Sequence, residues 1–185
     1  MSELPTAGAV ASWRAAKDDY LRNHRSSPLY GDPDFEGLTY YEETSAYRVS
    51  AELIRAQSPE PVMLATSSGD ERLYLTYGVA RFELAGQPQP LTLYATPDEP
   101  DGPRLFVPFR DATSGPETYG AGRYLDFTLE TPGAHGQVTL DFNYAYHPFC
   151  AYVEGYSCPF PPAENWLTQP VRAGERLKAG AADES

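Results

Sequence analysis

The sequence predicts a mainly β protein: an antiparallel β-sandwich or partly open β-barrel, with one N-terminal α-helix and an irregular C-terminal wrap rich in proline and aromatic residues. Three observations carry this. Short runs of alternating apolar and polar residues recur between about residues 38 and 142, with Gly, Pro, Asp and Asn between them. Only one stretch, near the start, has helical spacing. With 14 Tyr, 18 Pro and 15 Gly against 2 Met, the composition suits strands joined by tight turns. An apolar content of 41% excludes disorder for the bulk of the chain, and 185 residues suffice for one domain with a sizeable core.

Taken in order, residues 1–8 read as a flexible start, 9–177 as a single β-rich domain, and 178–185 as a disordered tail. Over 9–24, Val10, Trp13, Tyr20, Leu21 and His24 fall near one helical face, while Arg14, Lys17, Asp18 and Arg22 are free to face water. Pro28 disfavours helix at Ser27, which ends the element. Gly31, Pro33 and Gly37 punctuate a loop, and 38–41 is a short strand. Tyr47, Val49, Ala51 and Leu53 then alternate with Arg48, Ser50, Glu52 and Ile54 until Pro59 and Pro61 break the run, and 62–66 reads as a further strand. Ser67-Ser68-Gly69-Asp70 is a hairpin turn. The next strand, 73–84, is long and apolar on both faces in places, so it is central, and Gly78 marks a bulge or bend. Phe82 and Leu84 pair with Leu91 and Leu93 across the turn at Gly86. Strands follow at 105–109, 123–129 and 138–142; in the last, Val138, Leu140 and Phe142 point one way and Thr139, Asp141 and Asn143 the other. The wrap, 143–177, carries Pro148, Pro159, Pro161 and Pro162.

The formal net charge of −12 makes nucleic acid an improbable partner, since phosphate binding needs a surplus of Lys and Arg. No 18-residue apolar run exists to span a membrane, and the first residues lack a basic start followed by an apolar stretch. Two cysteines do not make a disulfide framework, so the expected compartment is the cytoplasm. There is no dinucleotide fingerprint and no Gly-Lys-Ser/Thr loop, and no cofactor is expected.

Four groups of residues could carry chemistry. Asp141 and Asn143 at a strand end, with His147 and Cys150 just beyond, supply the ingredients of a thiolate nucleophile with an orienting partner; the competing reading is a small buried thiol and turn-capping side chains. Cys150 and Cys158 admit three readings: free thiols, a disulfide, or a metal site with His147, which would be one ligand short of the four zinc prefers. Arg123, after the glycine-rich loop holding Tyr119, could clamp an anion bidentately or pair internally with Asp111, Glu117 or Asp141. Tyr144, Tyr146, Tyr152, Tyr156, Phe149 and Phe160 could line a pocket or pack the wrap onto the sheet.

The motifs Phe109-Arg110-Asp111-Ala112-Thr113-Ser114-Gly115, Thr118-Tyr119-Gly120-Ala121-Gly122-Arg123-Tyr124-Leu125, Asp141-Phe142-Asn143-Tyr144-Ala145-Tyr146-His147-Pro148-Phe149-Cys150-Ala151 and Cys158-Pro159-Phe160-Pro161-Pro162 resemble the domain-of-unknown-function family 1684. Gly174-Glu175 and, near the start, Trp13-Arg14, Ser27-Pro28-Leu29 and Phe35-Glu36-Gly37-Leu38 fit too. The resemblance implies a single complete domain and no particular reaction. The family pattern has Asn where this chain has His147, which moves the expected site toward Arg123, Asp141, Asn143 and Cys150. The reading is a small-molecule site built from the 109–125 and 141–158 segments: Arg123, Tyr119, Asn143 and His147 bind, and Cys150 with Asp141 acts in a hydrolytic version. The alternative is a structural or interaction module without a ligand.

Overall fold

The structure, a computed structural model, describes residues 8–179. The helix α1 (Ala9–Asn23) is followed by strands β1 (Thr39–Tyr40), β2 (Arg48–Ala65), β3 (Glu71–Leu84), β4 (Gln87–Ala95), β5 (Arg104–Phe109), β6 (Arg123–Thr128), β7 (Gly136–Asp141) and β8 (Glu175–Arg176). Six strands form one antiparallel sheet in the order β6-β5-β4-β3-β2-β7, and β1 pairs with β8 in a second, two-stranded sheet. The large sheet curls into a half-barrel, the partly open barrel the sequence predicts. The expected flexible start and disordered tail lie mostly outside the described residues; within them, Lys178 reaches Glu36 at 2.9 Å.

Alternation holds where the strands face the core. Leu53, Phe82, Leu84, Leu91, Leu93, Val107 and Leu140 are all buried there. The predicted bulge at Gly78 is present: the β3–β4 register shifts between Thr76 and Gly78, and a Cβ at Gly78 would lie 2.4 Å from the Ile54 carbonyl oxygen. Pro59 and Pro61 do not end β2, contrary to expectation. Pairing with β7 stops at Leu53, so beyond it one side of β2 is an edge, where a missing N–H costs no ladder bond. The β2–β3 register shift between Arg55 and Glu60 absorbs Pro59.

The helix also departs from expectation. Val10 and Leu21 are buried as predicted, but Tyr20 is 37% exposed, and Arg14, Lys17 and Asp18 are half-buried against the protein. Polar groups on the wrap and the β1 segment decide which face turns in: Arg14 donates to the Tyr41 and Asn143 carbonyls, each at 3.1 Å, and the Asp18 carboxylate accepts the Leu38 N–H at 3.0 Å. Helical spacing of apolar residues sees none of these partners.

The wrap closes the half-barrel. Leu167, Val171 and Ala173 enter the same core as the sheet. β4 and β5 share a single paired position, Tyr94 with Phe106, and Asn165 stitches the gap beyond it. Its side-chain oxygen accepts the Thr92 N–H at 2.8 Å, while its Nδ2 donates to the Thr92 carbonyl at 2.9 Å and the Pro108 carbonyl at 2.8 Å. A fully buried side-chain amide thus stands in for backbone ladder bonds.

Candidate functional site

Arg123 opens β6 with its side chain 0% exposed. Its Nη1 donates to the carbonyls of Ala173 at 2.5 Å and Glu175 at 3.0 Å, and Nη2 to that of Val171 at 2.8 Å. Asp111 lies 3.6 Å from Nη2, and its carboxylate also accepts from the Thr113 hydroxyl and the Val171 N–H. Burial pushes the guanidinium below its usual value, and Asp111 is the leading opposing influence. The cation and its carboxylate therefore hold the end of the wrap against the sheet. Arg123 thus has Asp111 as an ion-pair neighbour and three backbone carbonyls of the wrap as acceptors.

Tyr119, His147 and Cys150 come together. The Tyr119 N–H donates to His147 Nε2 at 3.2 Å, and its hydroxyl donates to Cys150 Sγ at 3.7 Å. His147 Nδ1 sits 3.2 Å from the Glu175 carboxylate. Burial, followed by the nearby Arg123 charge, lowers the His147 pKa well below its ordinary value, so the ring is neutral with the proton on Nδ1. Glu175 is 1% exposed; the Tyr152 hydroxyl and the His147 N–H both donate to it, and burial raises its pKa. Lys17 is its leading counter-charge and also lies 4.0 Å from the Tyr146 ring centre. With both nitrogens of His147 engaged elsewhere, no Cys–His dyad is assembled in this arrangement. Nor do Cys150, Cys158 and His147 converge as a metal centre: among the described residues no group of three or more His, Cys, Asp or Glu side chains is placed to hold a metal ion.

Both cysteines are free thiols. Cys150 is the middle residue of the 3₁₀ turn Phe149–Ala151 and is half-buried, while Cys158 is 8% exposed. Burial, with the contact of the Cys158 thiol next, pushes Cys150 up to about 11. A thiol so placed is protonated at neutral pH.

Asp141 and Asn143 form a separate group at the far end of β7. Asp141 Oδ1 accepts the backbone N–H of Asn143 at 3.0 Å and its side-chain amide at 2.7 Å, and Arg48 Nε reaches Asp141 Oδ2 at 2.9 Å. Asn143 then clasps the Thr44 backbone through both its amide nitrogen, at 2.9 Å, and its oxygen, at 3.1 Å. Phe142–Tyr144 is a 3₁₀ turn, so Asn143 leaves the polar face that strand alternation assigned it and is buried.

A hollow lies away from Arg123, His147 and Cys150. β6 and β7 are consecutive in sequence but occupy opposite edges of the sheet. The curl brings those edges to either side of a cleft of about 590 Å³, lined by Phe127, Leu129, Ala134, Gln137, Val138 and Thr139 among others. A smaller hollow of about 190 Å³ continues the seam past Asp126 to Asp141 and Tyr144. Phe127, Ala134, Val138 and Tyr144 also pack on the main core, so the seam opens onto the barrel interior. Sequence reasoning placed the flanking strands but not their juxtaposition. It also missed the buried Glu175 and Asn165 and the half-buried Lys17 as polar groups turned to the protein; Glu175 stood in a motif already singled out, but its partners are remote in sequence.

A family model described as a protein of unknown function (DUF1684) matches residues 33–176. The solution NMR structure of an uncharacterized protein from Haloarcula marismortui, a structural genomics target, is similar to this chain: 39% identity over 94% of this chain and 95% of that one, with a TM-score of 0.75. No curated protein matches. No helix among the described residues is long and apolar enough to cross a membrane.

Proposed function

We propose that this chain, which belongs to the family of proteins of unknown function DUF1684, is a binding module whose small-molecule ligand lies in the seam between β6 and β7. One observation carries the reading: the two edge strands of the sheet flank a cleft of about 590 Å³ whose lining residues Phe127, Ala134 and Val138 pack on the core. That size falls within the range of about 300–1,000 Å³ usual for ligand pockets. The lining supports a ligand with an apolar body and hydrogen-bonding edges, since Phe127, Leu129 and Val138 alternate with Thr128, Gln137 and Thr139. No Lys or Arg lines the cleft, Asp126 and Asp141 sit at its far end, and the chain carries −12, so the ligand is neutral or basic.

Of the segments from which a site was expected, 109–125 and 141–158, only Leu125, Asp141 and Tyr144 reach this seam. Hydrolysis by Cys150 is not part of the proposal, because its thiol is held protonated and His147 is committed to Tyr119 and Glu175. A cytoplasmic setting belongs with the proposal, as the free thiols fit a reducing compartment.

The test uses the neutral dye Nile red. Wild type enhances and blue-shifts its emission, while Thr139→Trp and Thr128→Trp, which fill the cleft from exposed positions, lose the enhancement with Tm unchanged. Equal enhancement in the variants, or none with wild type, would overturn the reading.

A further inference from the structure

We propose that the ligand of the seam is a short extended peptide that adds a strand beside β6 and presents a basic side chain to Asp126; this rests on the seam being the binding site. Successive antiparallel pairings lead from β6 round the sheet to β7, so the two strands run antiparallel, and residues 129–135 join them directly. Yet no ladder pairs them. The β6 edge is zipped at one end only: the Tyr124 N–H donates to the Tyr146 carbonyl at 2.8 Å, and the Tyr146 N–H to the Tyr124 carbonyl at 3.0 Å. That exchange fixes the direction of the β6 backbone. Tyr124 turns its main-chain groups away from β5, and strand periodicity turns those of Asp126 and Thr128 the same way. Among the described residues no backbone group bonds them on that side. An open row of N–H and C=O groups is a template for an added strand.

The slot sets the length, pattern and charge of the peptide. The Tyr124–Tyr146 bridge bounds it at one end and the 129–135 connection at the other, so a long chain has no way along it. About three residues, spanning roughly 10 Å, lie opposite Asp126, Phe127 and Thr128. On β6, Phe127 packs on the core while Asp126 and Thr128 are exposed. Directly opposed residues of paired strands share a face, so the middle residue of the peptide is apolar and turns to the core, and the outer two lie beside Asp126 and Thr128. Asp126 accepts the Tyr146 hydroxyl on Oδ2 at 2.9 Å and makes no ion pair among the described residues; Lys17 and Arg104 act on it only at longer range. Asp141, at the same end, is already held by Arg48 and Asn143. Asp126 is therefore the carboxylate left to meet a cation, which selects a lysine or arginine in the peptide.

The test uses three acetylated, amidated tripeptides: lysine-leucine-lysine, glutamate-leucine-glutamate, and lysine-leucine-lysine methylated on both lysine backbone nitrogens. Nile red displacement and ¹⁵N amide shifts of the full chain are the readouts. The symmetric lysine peptide meets Asp126 whichever way it runs. It displaces the dye and shifts the Asp126 and Thr128 amides saturably, while the glutamate and methylated peptides bind more weakly by about tenfold or more. Asp126→Asn, which keeps an acceptor for the Tyr146 hydroxyl, narrows the gap between the lysine and glutamate peptides. Dye binding with no displacement and no amide shift from the lysine peptide overturns the peptide proposal and leaves the seam as the site. Equal affinity for the three peptides, or an unchanged gap in Asp126→Asn, overturns it too. Failure of dye and peptides alike overturns both readings.

Discussion

Replacing Arg123 by methionine removes a fully buried cation and little volume. The carbonyls of Val171, Ala173 and Glu175 lose their donor, and Asp111 keeps its charge without the guanidinium 3.6 Å away. Removing one partner of a buried ion pair costs about 3–5 kcal/mol, because the remaining charge is left uncompensated. Domains of this kind are stable by about 5–15 kcal/mol, so the loss is a large fraction of the total. Asp111→Asn removes the orphaned charge while keeping an acceptor for the Val171 N–H. The double variant is therefore less destabilised than the two single losses summed, by about 1–3 kcal/mol of coupling. Urea denaturation of the four proteins, followed by fluorescence and circular dichroism, measures this cycle. A loss below about 1 kcal/mol in Arg123→Met, or additive losses, would refute the reasoning that Arg123 and Asp111 act together to hold the wrap.

Asn165→Ala strips donors and an acceptor from Thr92 and Pro108 between β4 and β5, and a loss of about 2–4 kcal/mol is expected in the same denaturation assay. His147 stays neutral when folded but takes a proton near pH 6.5 when unfolded, so the unfolded state binds more protons below that pH. Stability therefore falls as pH drops through about 6.5, and His147→Asn flattens that limb of the Tm-versus-pH curve; an unchanged slope would count against a neutral buried imidazole. The Cys150 thiol, raised to about 11, reacts slowly with iodoacetamide at pH 7.5, its rate still climbing above pH 9 in a Cys158→Ser background; a plateau below pH 8 would contradict the burial argument.

Strands and turns were the legible part of this fold. Alternation at Ala51 and Leu53, the apolar run of β3 and the bulge at Gly78 are all local signals, and the structure follows them. Sequence reading fails where the deciding partner is distant. Lys17 and Arg14 look like solvent-facing helix residues until Glu175 and the Asn143 carbonyl arrive from the wrap. Pro59 looks like a break until β7 proves too short to pair with that part of β2. The candidate site divides in the same way. Tyr119, His147 and Cys150 meet, yet Asp141 and Asn143 spend their hydrogen bonds on one another, Arg48 and Thr44. Motif density marked residues that matter without separating those that hold the chain end from those that face a ligand. The seam is illegible for another reason: it exists only because strands adjacent in sequence lie at opposite edges of a curled sheet.

The most direct test of the binding proposal is amide shift mapping of the uniformly ¹⁵N-labelled full chain against a panel of small neutral and basic aromatic compounds. The account predicts that saturable shifts gather on Phe127, Thr128, Val138 and Thr139, on both walls of the seam. Shifts gathered instead on Tyr119, His147 and Cys150, or no saturable shifts from any compound, would contradict it.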